Sequence, residues 1–343
     1  MMDNRERKLG ILTGGGDCPG LNAVLRAVAH RCARRGVMLV GYRNGWEGVL
    51  ERDSIVMDRA AVKGILPLGG TILGTSRTDP LVVPGGVDRI EATLAHDGIE
   101  GLVVVGGDGT LSAANELATT RGLRVVGVPK TIDNDLAATD FTFGFDTAVG
   151  IATEAIDRLH TTAEAHNRVI VVEVMGHHTG WIAAYAGIAG GADVVLVPEQ
   201  AFDVEAVCER IQARERQGRG FSIVVIAEGA RPSGGGATSF ERRARVRPGE
   251  ISFWLAEEIE RCIHTETRTV VLGHIQRGGT PSPHDRVLAT RFGVHAADLA
   301  LAGEWGRMVA LQGNQITAVP LETAVREVKR LDPAIWEIVK VFA

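Results

Sequence analysis

Cysteine is scarce in this 343-residue chain. The four cysteines, Cys18, Cys32, Cys208 and Cys262, are scattered and include no CxxC pair. That argues against a structural zinc site or a disulfide framework and predicts a reduced, intracellular protein. Long apolar runs are missing too. None approaches the roughly 20 residues that cross a bilayer, and the charged start MMDNRERKLG lacks the apolar core of a secretory signal. A soluble, cytoplasmic chain without membrane contact is expected. Nor is there a basic surplus: the net charge of −5 argues against a dedicated nucleic-acid binder, though not against a local basic pocket for phosphates.

Glycine, by contrast, is plentiful. Its 43 copies, beside 45% hydrophobic and only 5% aromatic residues, fit an α/β protein with many tight strand-to-helix turns. The length allows two domains, each with its own core.

The stretch Gly127-Val128-Pro129-Lys130-Thr131-Ile132-Asp133-Asn134-Asp135 organises the rest. It follows an apolar run from Val125 that reads as a buried strand, which Pro129 ends. Strand ends in open α/β sheets are where ligands bind. A carboxylate beside a cation and a hydroxyl suits a general base that deprotonates an alcohol near a phosphate. A polar Asx-turn without chemistry fits the same residues.

Glycine-rich turns recur along the chain. Lys8–Thr13 reads as a strand followed by Gly14-Gly15-Gly16-Asp17 and a helix from Leu21; Gly101–Val105 reads as a strand followed by Gly106-Gly107-Asp108-Gly109-Thr110 and a helix from Leu111. In this arrangement backbone amides and a helix N-terminus can face an anion, and tight strand–helix packing explains the glycines almost as well. It is not a Walker A loop, because no Gly-Lys-Ser/Thr follows. Asp108 suits Mg²⁺ beside phosphates or a plain helix cap. Arg77, ending a further glycine-rich turn, suits a phosphate clamp or a solvated surface charge.

Later strands read at Arg168–Val174, Val194–Val197, Ser222–Ala227 and Thr269–Leu272. Arg168, Glu228, Arg268, His274 and Arg277 lie near apolar strand ends, where either a polar ligand or an internal ion-pair network would hold them. Adjacent His177 and His178 invite a metal reading, but neighbouring residues rarely converge on one ion. The Gly-, Ser- and Arg-rich segment 231–249 reads as a surface loop, and the tail as two short helices around Asp332-Pro333.

Together the motifs resemble the 6-phosphofructokinase family. They are Thr13-Gly14-Gly15-Gly16-Asp17, Gly106-Gly107-Asp108-Gly109-Thr110, Pro129-Lys130-Thr131-Ile132-Asp133-Asn134-Asp135, Val174-Met175-Gly176 and Gly273-His274-Ile275-Gln276-Arg277-Gly278-Gly279, in family order over nearly the whole chain. The resemblance implies two doubly wound, Rossmann-like α/β domains with an active-site cleft between them. Residues 1–143 plus about 276–326 would bind ATP and Mg²⁺, and 144–275 plus about 327–343 fructose 6-phosphate. Asp133 would be the base on the sugar 1-hydroxyl, helped by Thr131. Asp108 would hold Mg²⁺, and Gly15, Arg77, Thr78, Gly107, Gly109 and Thr110 would line the donor site. Met175, Gly176 and Glu228 would contact the sugar, and Ile132, His177, Ile275 and Gln276 would belong to the substrate-binding site. Arg168, Arg268, His274 and Arg277 would grip the 6-phosphate, with Arg168 and Arg268 reaching over from a neighbouring subunit, so the active site is complete only in a homodimer or homotetramer.

The family divides between ATP and pyrophosphate users. Gly109 leaves room for a nucleotide α-phosphate where pyrophosphate users carry Asp. Lys130 points the other way, toward the Lys of pyrophosphate users. The expectation is ATP, because a like-charged side chain would exclude the nucleotide whereas a lysine coexists with either donor. His177 stands where bacterial ATP enzymes often have arginine, and Lys130 is expected to take over part of that charge stabilisation. The alternatives are a pyrophosphate-dependent enzyme, a kinase for another sugar phosphate such as sedoheptulose 7-phosphate, and a silent nucleotide- or sugar-phosphate-binding regulator. Retention of Asp133, Asp108 and Thr131 together disfavours the last.

Overall fold

The computed structural model describes residues 7–233 and 249–342. Along them run β1 (Lys8–Thr13), α1 (Leu21–Arg34), β2 (Met38–Tyr42), α2 (Trp46–Glu51), β3 (Ser54–Val56), α3 (Gly86–Asp97), β4 (Leu102–Gly106), α4 (Asp108–Arg121), β5 (Val125–Pro129) and α5 (Phe145–His166). There follow β6 (Val169–Val174), α6 (Trp181–Ala189), β7 (Val194–Leu196), α7 (Val204–Arg216), β8 (Ser222–Ala227), α8 (Glu250–Ile263), β9 (Thr267–Val271), a 3₁₀ turn (Gly273–Arg277), α9 (Pro283–Ala302), β10 (Arg307–Gln312), β11 (Gln315–Pro320), α10 (Leu321–Val325) and α11 (Pro333–Phe342). The chain divides into two compact units, Met1–Thr147 with Arg277–Val328, and Ala148–Gln276 with Lys329–Ala343. Most of the predicted 231–249 loop, residues 234–248, lies outside the described residues.

The first unit is built on a sheet of order β11-β10-β5-β4-β1-β2-β3. Its central strands are parallel, with antiparallel β3 and β11 at the edges. Parallel strands need crossover helices, which cover both faces, so the strands read as unbroken apolar runs. Accordingly β4 and β5 are buried throughout. Leu12, Val104 and Val125 share one core with residues of α2, α3, α4 and α10. At another contact α1 and α9 come so close that a β-carbon on Gly293 would lie 2.8 Å from that of Ala27. Here glycine is required by proximity.

Chain order reverses at β1, which has β2 on one side and β4 on the other. Register sets Thr13 beside Val105 and Gly106 beside Pro129. The turns after β1, β4 and β5 therefore leave the sheet at one edge, beside its topological switch point.

In the second unit the order is β7-β8-β6-β9, all parallel. Val174 pairs with Ala227 and Glu173 with Val271, so Met175, Glu228 and the 3₁₀ turn also emerge at one edge. Both units carry the helix-covered parallel sheet of the doubly wound α/β class. Among the described residues no helix is long and apolar enough to cross a membrane.

Phe143 anchors the segment between β5 and α5. It is fully buried, edge-on to Phe292, and its ring lies 2.7 Å from where a Gly20 β-carbon would be. Phe143→Ala is expected to cost about 3–5 kcal/mol, the usual penalty for emptying such a site. A lowered denaturant midpoint at unchanged m-value would register it.

Candidate functional site

At the β1–β4–β5 edge the most unusual group is Lys130. Its side chain is buried, and Nζ donates to the Gly16 carbonyl at 2.6 Å. Burial lowers its pKa; the Arg277 guanidinium lowers it further, while Cys18, Asp133 and Asp135 act in the opposite sense. A β-carbon on Gly15 would lie 3.3 Å from Lys130 Nζ, and one on Gly16 2.8 Å from Arg277 Nη1. These glycines let the backbone approach two cations.

The first glycine turn does less with its amides than the sequence implied. Gly14 N–H donates to Val105 O (3.0 Å) and Gly15 N–H to Ser76 O (2.9 Å), while Thr75 Oγ1 donates to Gly15 O (2.6 Å). The leading amides are therefore used inside the fold. The anion-ready end belongs to α4. Its N-cap is Gly107, which makes no side-chain cap bond, and the first helical bond runs from Leu111 N–H to Gly107 O at 3.0 Å. The amides of Asp108, Gly109 and Thr110 thus have no partner within the helix, and they carry its positive dipole end.

Asp108 is exposed and accepts from Ser112 Oγ at 3.3 Å. A β-carbon on Gly109 would meet nothing within 4 Å. Thr110 is buried beneath both turns; a Gly14 β-carbon would sit 2.8 Å from its Oγ1. Arg77 is exposed, while Thr78 Oγ1 donates to Glu47 Oε2 at 3.1 Å.

The turn after β5 is shaped by its own hydroxyls. Asp133 N–H donates to Thr131 Oγ1 (3.0 Å), Thr142 Oγ1 to Thr131 O (2.7 Å) and Thr142 N–H to Asn134 Oδ1 (3.1 Å). Asn134 takes the left-handed φ of 52° that its short amide tolerates. Thr131 is buried and Asp133 half-buried. The Ile132 side chain turns into the core near Gly144, so only its backbone could touch a ligand.

In the second unit, Glu228 Oε1 accepts from His177 N–H at 3.0 Å. His177 adopts φ 52°, and its ring lies 3.8 Å from that of His178. Met175 N–H donates to Gln276 Oε1 (3.4 Å), and Gln276 Nε2 donates to Gly273 O (3.1 Å). Gln276 is fully buried and thus braces the turn from inside, whereas His274 and Ile275 are exposed. Glu266 holds two of the expected phosphate arginines, Arg168 at 2.5 Å and Arg268. These hydrogen bonds and charges lower the Glu266 pKa.

The structure thus gathers Gly15, Gly107, Asp108, Gly109, Thr110, Lys130 and the Thr131–Asp133 turn at one strand edge. It sets Arg277, grouped in the sequence reading with Arg168 and Arg268, against Gly16 and near Lys130. That reading also passed over Thr75, Ser76 and Glu266. For Glu266 a signal existed: two residues from Arg268, it falls on the same face of an extended chain.

Glycine turns at a switch point, a helix N-terminus, a buried lysine and nearby carboxylates define an α/β protein that handles phosphate groups. The sequence profile of Phosphofructokinase matches residues 8–300. The chain belongs to the phosphofructokinase family. It is 56% identical to a pyrophosphate–fructose 6-phosphate 1-phosphotransferase of Streptomyces coelicolor, over 98% of this chain and 99% of that one. It is 50% identical to an ATP-dependent 6-phosphofructokinase of Chloroflexus aurantiacus, over 97% and 95% respectively. A crystal structure of a pyrophosphate-dependent phosphofructokinase from Marinobacter aquaeolei superposes with a TM-score of 0.82 at 25% identity, covering 96% of this chain and 86% of that one.

Proposed function

We propose that this protein transfers the γ-phosphoryl group of ATP to the 1-hydroxyl of fructose 6-phosphate, giving fructose 1,6-bisphosphate in glycolysis. The observation that carries the choice of donor is the open space over Gly109 at the dipole end of α4. An α-phosphate fits there, against amides that the helix leaves unused. Asp133 takes the hydroxyl proton as the sugar oxygen attacks the γ-phosphorus and the bond to the β-phosphate oxygen breaks. Lys130 and Arg277 meet the charge that accumulates on the transferring group. Asp108 suits Mg²⁺, which typically takes one or two carboxylates plus phosphate oxygens and water; when bound, it neutralises charge on the donor phosphates. Glu228 and the Met175–His177 turn are assigned to the sugar.

A second reading, pyrophosphate as donor, is favoured by Lys130 and by the name of the Streptomyces relative. Parallel assays with fructose 6-phosphate and Mg²⁺, supplied with ATP or pyrophosphate, decide between them. Faster turnover with pyrophosphate would overturn the ATP reading.

Lys130→Ala is expected to lower kcat about a hundred-fold or more, with little change in the KM for fructose 6-phosphate, because the charge it meets appears only in the transition state. A near-normal kcat would remove Lys130 from the mechanism.

The active site is shared between subunits of a cytoplasmic homo-oligomer, with Arg168 and Arg268 serving a neighbour's sugar phosphate. Glu266, by holding both guanidiniums, would present them as one unit. Arg268→Ala and Asp133→Ser should each be inactive alone. Unfolded together and refolded in equal amounts, they should regain about a quarter of the sites, since random assembly pairs an intact Asp133 with an intact neighbouring Arg268 at that frequency. No regain in a confirmed mixed oligomer would place both residues in one chain's site.

A further inference from the structure

The helices α7 and α8 lie side by side over the second unit's sheet. Their contact is fixed near both ends: the Phe202 and Trp254 rings are 6.4 Å apart at one, and Thr265 Oγ1 donates to Glu215 Oε1 (3.0 Å) at the other. Between these points Val207, Cys208 and Ile211 of α7 share a core with Leu255, Ala256 and Ile259 of α8. Cys262 follows Ile259 by one helical turn, on the side of α8 that packs against Cys208, and its thiol is near enough to raise the Cys208 pKa. Both cysteines are free; Cys208 is buried and Cys262 exposed.

We propose that Cys208 and Cys262 form an oxidation site, at which hydrogen peroxide closes a reversible disulfide between α7 and α8. The inference does not depend on the phosphoryl donor or on any assignment at the sugar site. Cys262 is the thiol that meets the oxidant. Its thiolate attacks one peroxide oxygen; an S–O bond forms, the O–O bond breaks, and the displaced oxygen leaves as water after taking a proton. The Cys208 sulfur then attacks the Cys262 sulfur, forming S–S and breaking S–O. The Cys208 proton leaves with the hydroxyl as a second water. Two thiols lose two electrons, and one peroxide becomes two waters.

The buried thiol suits the resolving step rather than the first. Burial, the neighbouring Cys262 thiol and the nearby carboxylates of Glu258 and Asp203 push the Cys208 pKa up to about 12. Few Cys208 thiolates exist at neutral pH to react with peroxide directly. The nearness of the two thiols on packed helices favours closure over further oxidation of Cys262. Cys18 and Cys32 are both buried, and the Cys18 thiol donates to the Phe143 carbonyl at 3.4 Å.

The test is peptide mapping of the full-length protein after hydrogen peroxide, without reductant. Expected is a linked pair of peptides carrying Cys208 and Cys262, lighter by two hydrogens than the separate peptides together and released by dithiothreitol. In Cys208→Ala the Cys262 peptide should instead carry sulfinic or sulfonic acid. The wild-type disulfide should also raise the thermal midpoint of the folded protein by several degrees, as a cross-link that restricts the unfolded chain does. Over-oxidised Cys262 beside an intact Cys208 thiol in the wild type would overturn the proposal. So would a disulfide joining two chains through Cys262, or no loss of thiols under peroxide.

Discussion

Replacing Asp133 with serine is expected to lower kcat roughly 10³-fold to 10⁴-fold, the upper part of the range a positioned general base contributes. Serine cannot accept the sugar hydroxyl proton at neutral pH, so the attacking oxygen must shed it to water. The turn should survive, because the bonds that shape it come from the Asp133 backbone N–H, Thr131, Asn134 and Thr142 rather than from the carboxylate alone. The KM values should therefore move far less than kcat. Steady-state kinetics at saturating substrates measures this, and circular dichroism checks the fold. A variant within about tenfold of the parent kcat would assign deprotonation elsewhere.

Gly109→Asp should exchange the donors. The added side chain enters open space, and an acidic residue in the first turn of α4 complements the helix dipole, so the fold should be unharmed or slightly more stable. The carboxylate would occupy the place given to the nucleotide α-phosphate. Juxtaposed like charges cost several kcal/mol, and each 1.4 kcal/mol is tenfold, so kcat/KM for ATP should fall about 10²-fold to 10³-fold. Pyrophosphate has no group at that position and should lose little. The ratio of the two kcat/KM values in parent and variant measures the exchange. Unchanged use of ATP by a folded variant would mean that the nucleotide does not approach Gly109.

Much of the fold was legible because parallel strands bury both faces. The runs at 102–105 and 125–128 have no polar interruption, and each ends in a glycine turn or proline. The hairpin of β10 and β11 was not read. Its two-residue turn, Gly313-Asn314, is a recognised hairpin signal, but β11 is half-buried along most of its length and offers no clean alternation. At the site, the strand-end rule pointed to the sheet edge at which the motif turns after β1, β4 and β5 emerge. The pairing of Lys130 with Gly16 was hidden, since the contact spans 114 positions and depends on sheet order. The neighbours of Arg277 were hidden for a similar reason. Its charge was visible, but nothing in the local sequence indicates that its guanidinium turns to Gly16.

The closeness of Lys130 and Arg277 has a thermodynamic consequence for the resting protein. Each cation raises the energy of the other, and the buried ammonium has also lost most of its water. The folded chain therefore carries an electrostatic tension that a polyanion would relieve on arrival. Some of the affinity for a phosphate compound would then be repulsion already built in during folding, so even inorganic phosphates should raise resistance to heat by mass action.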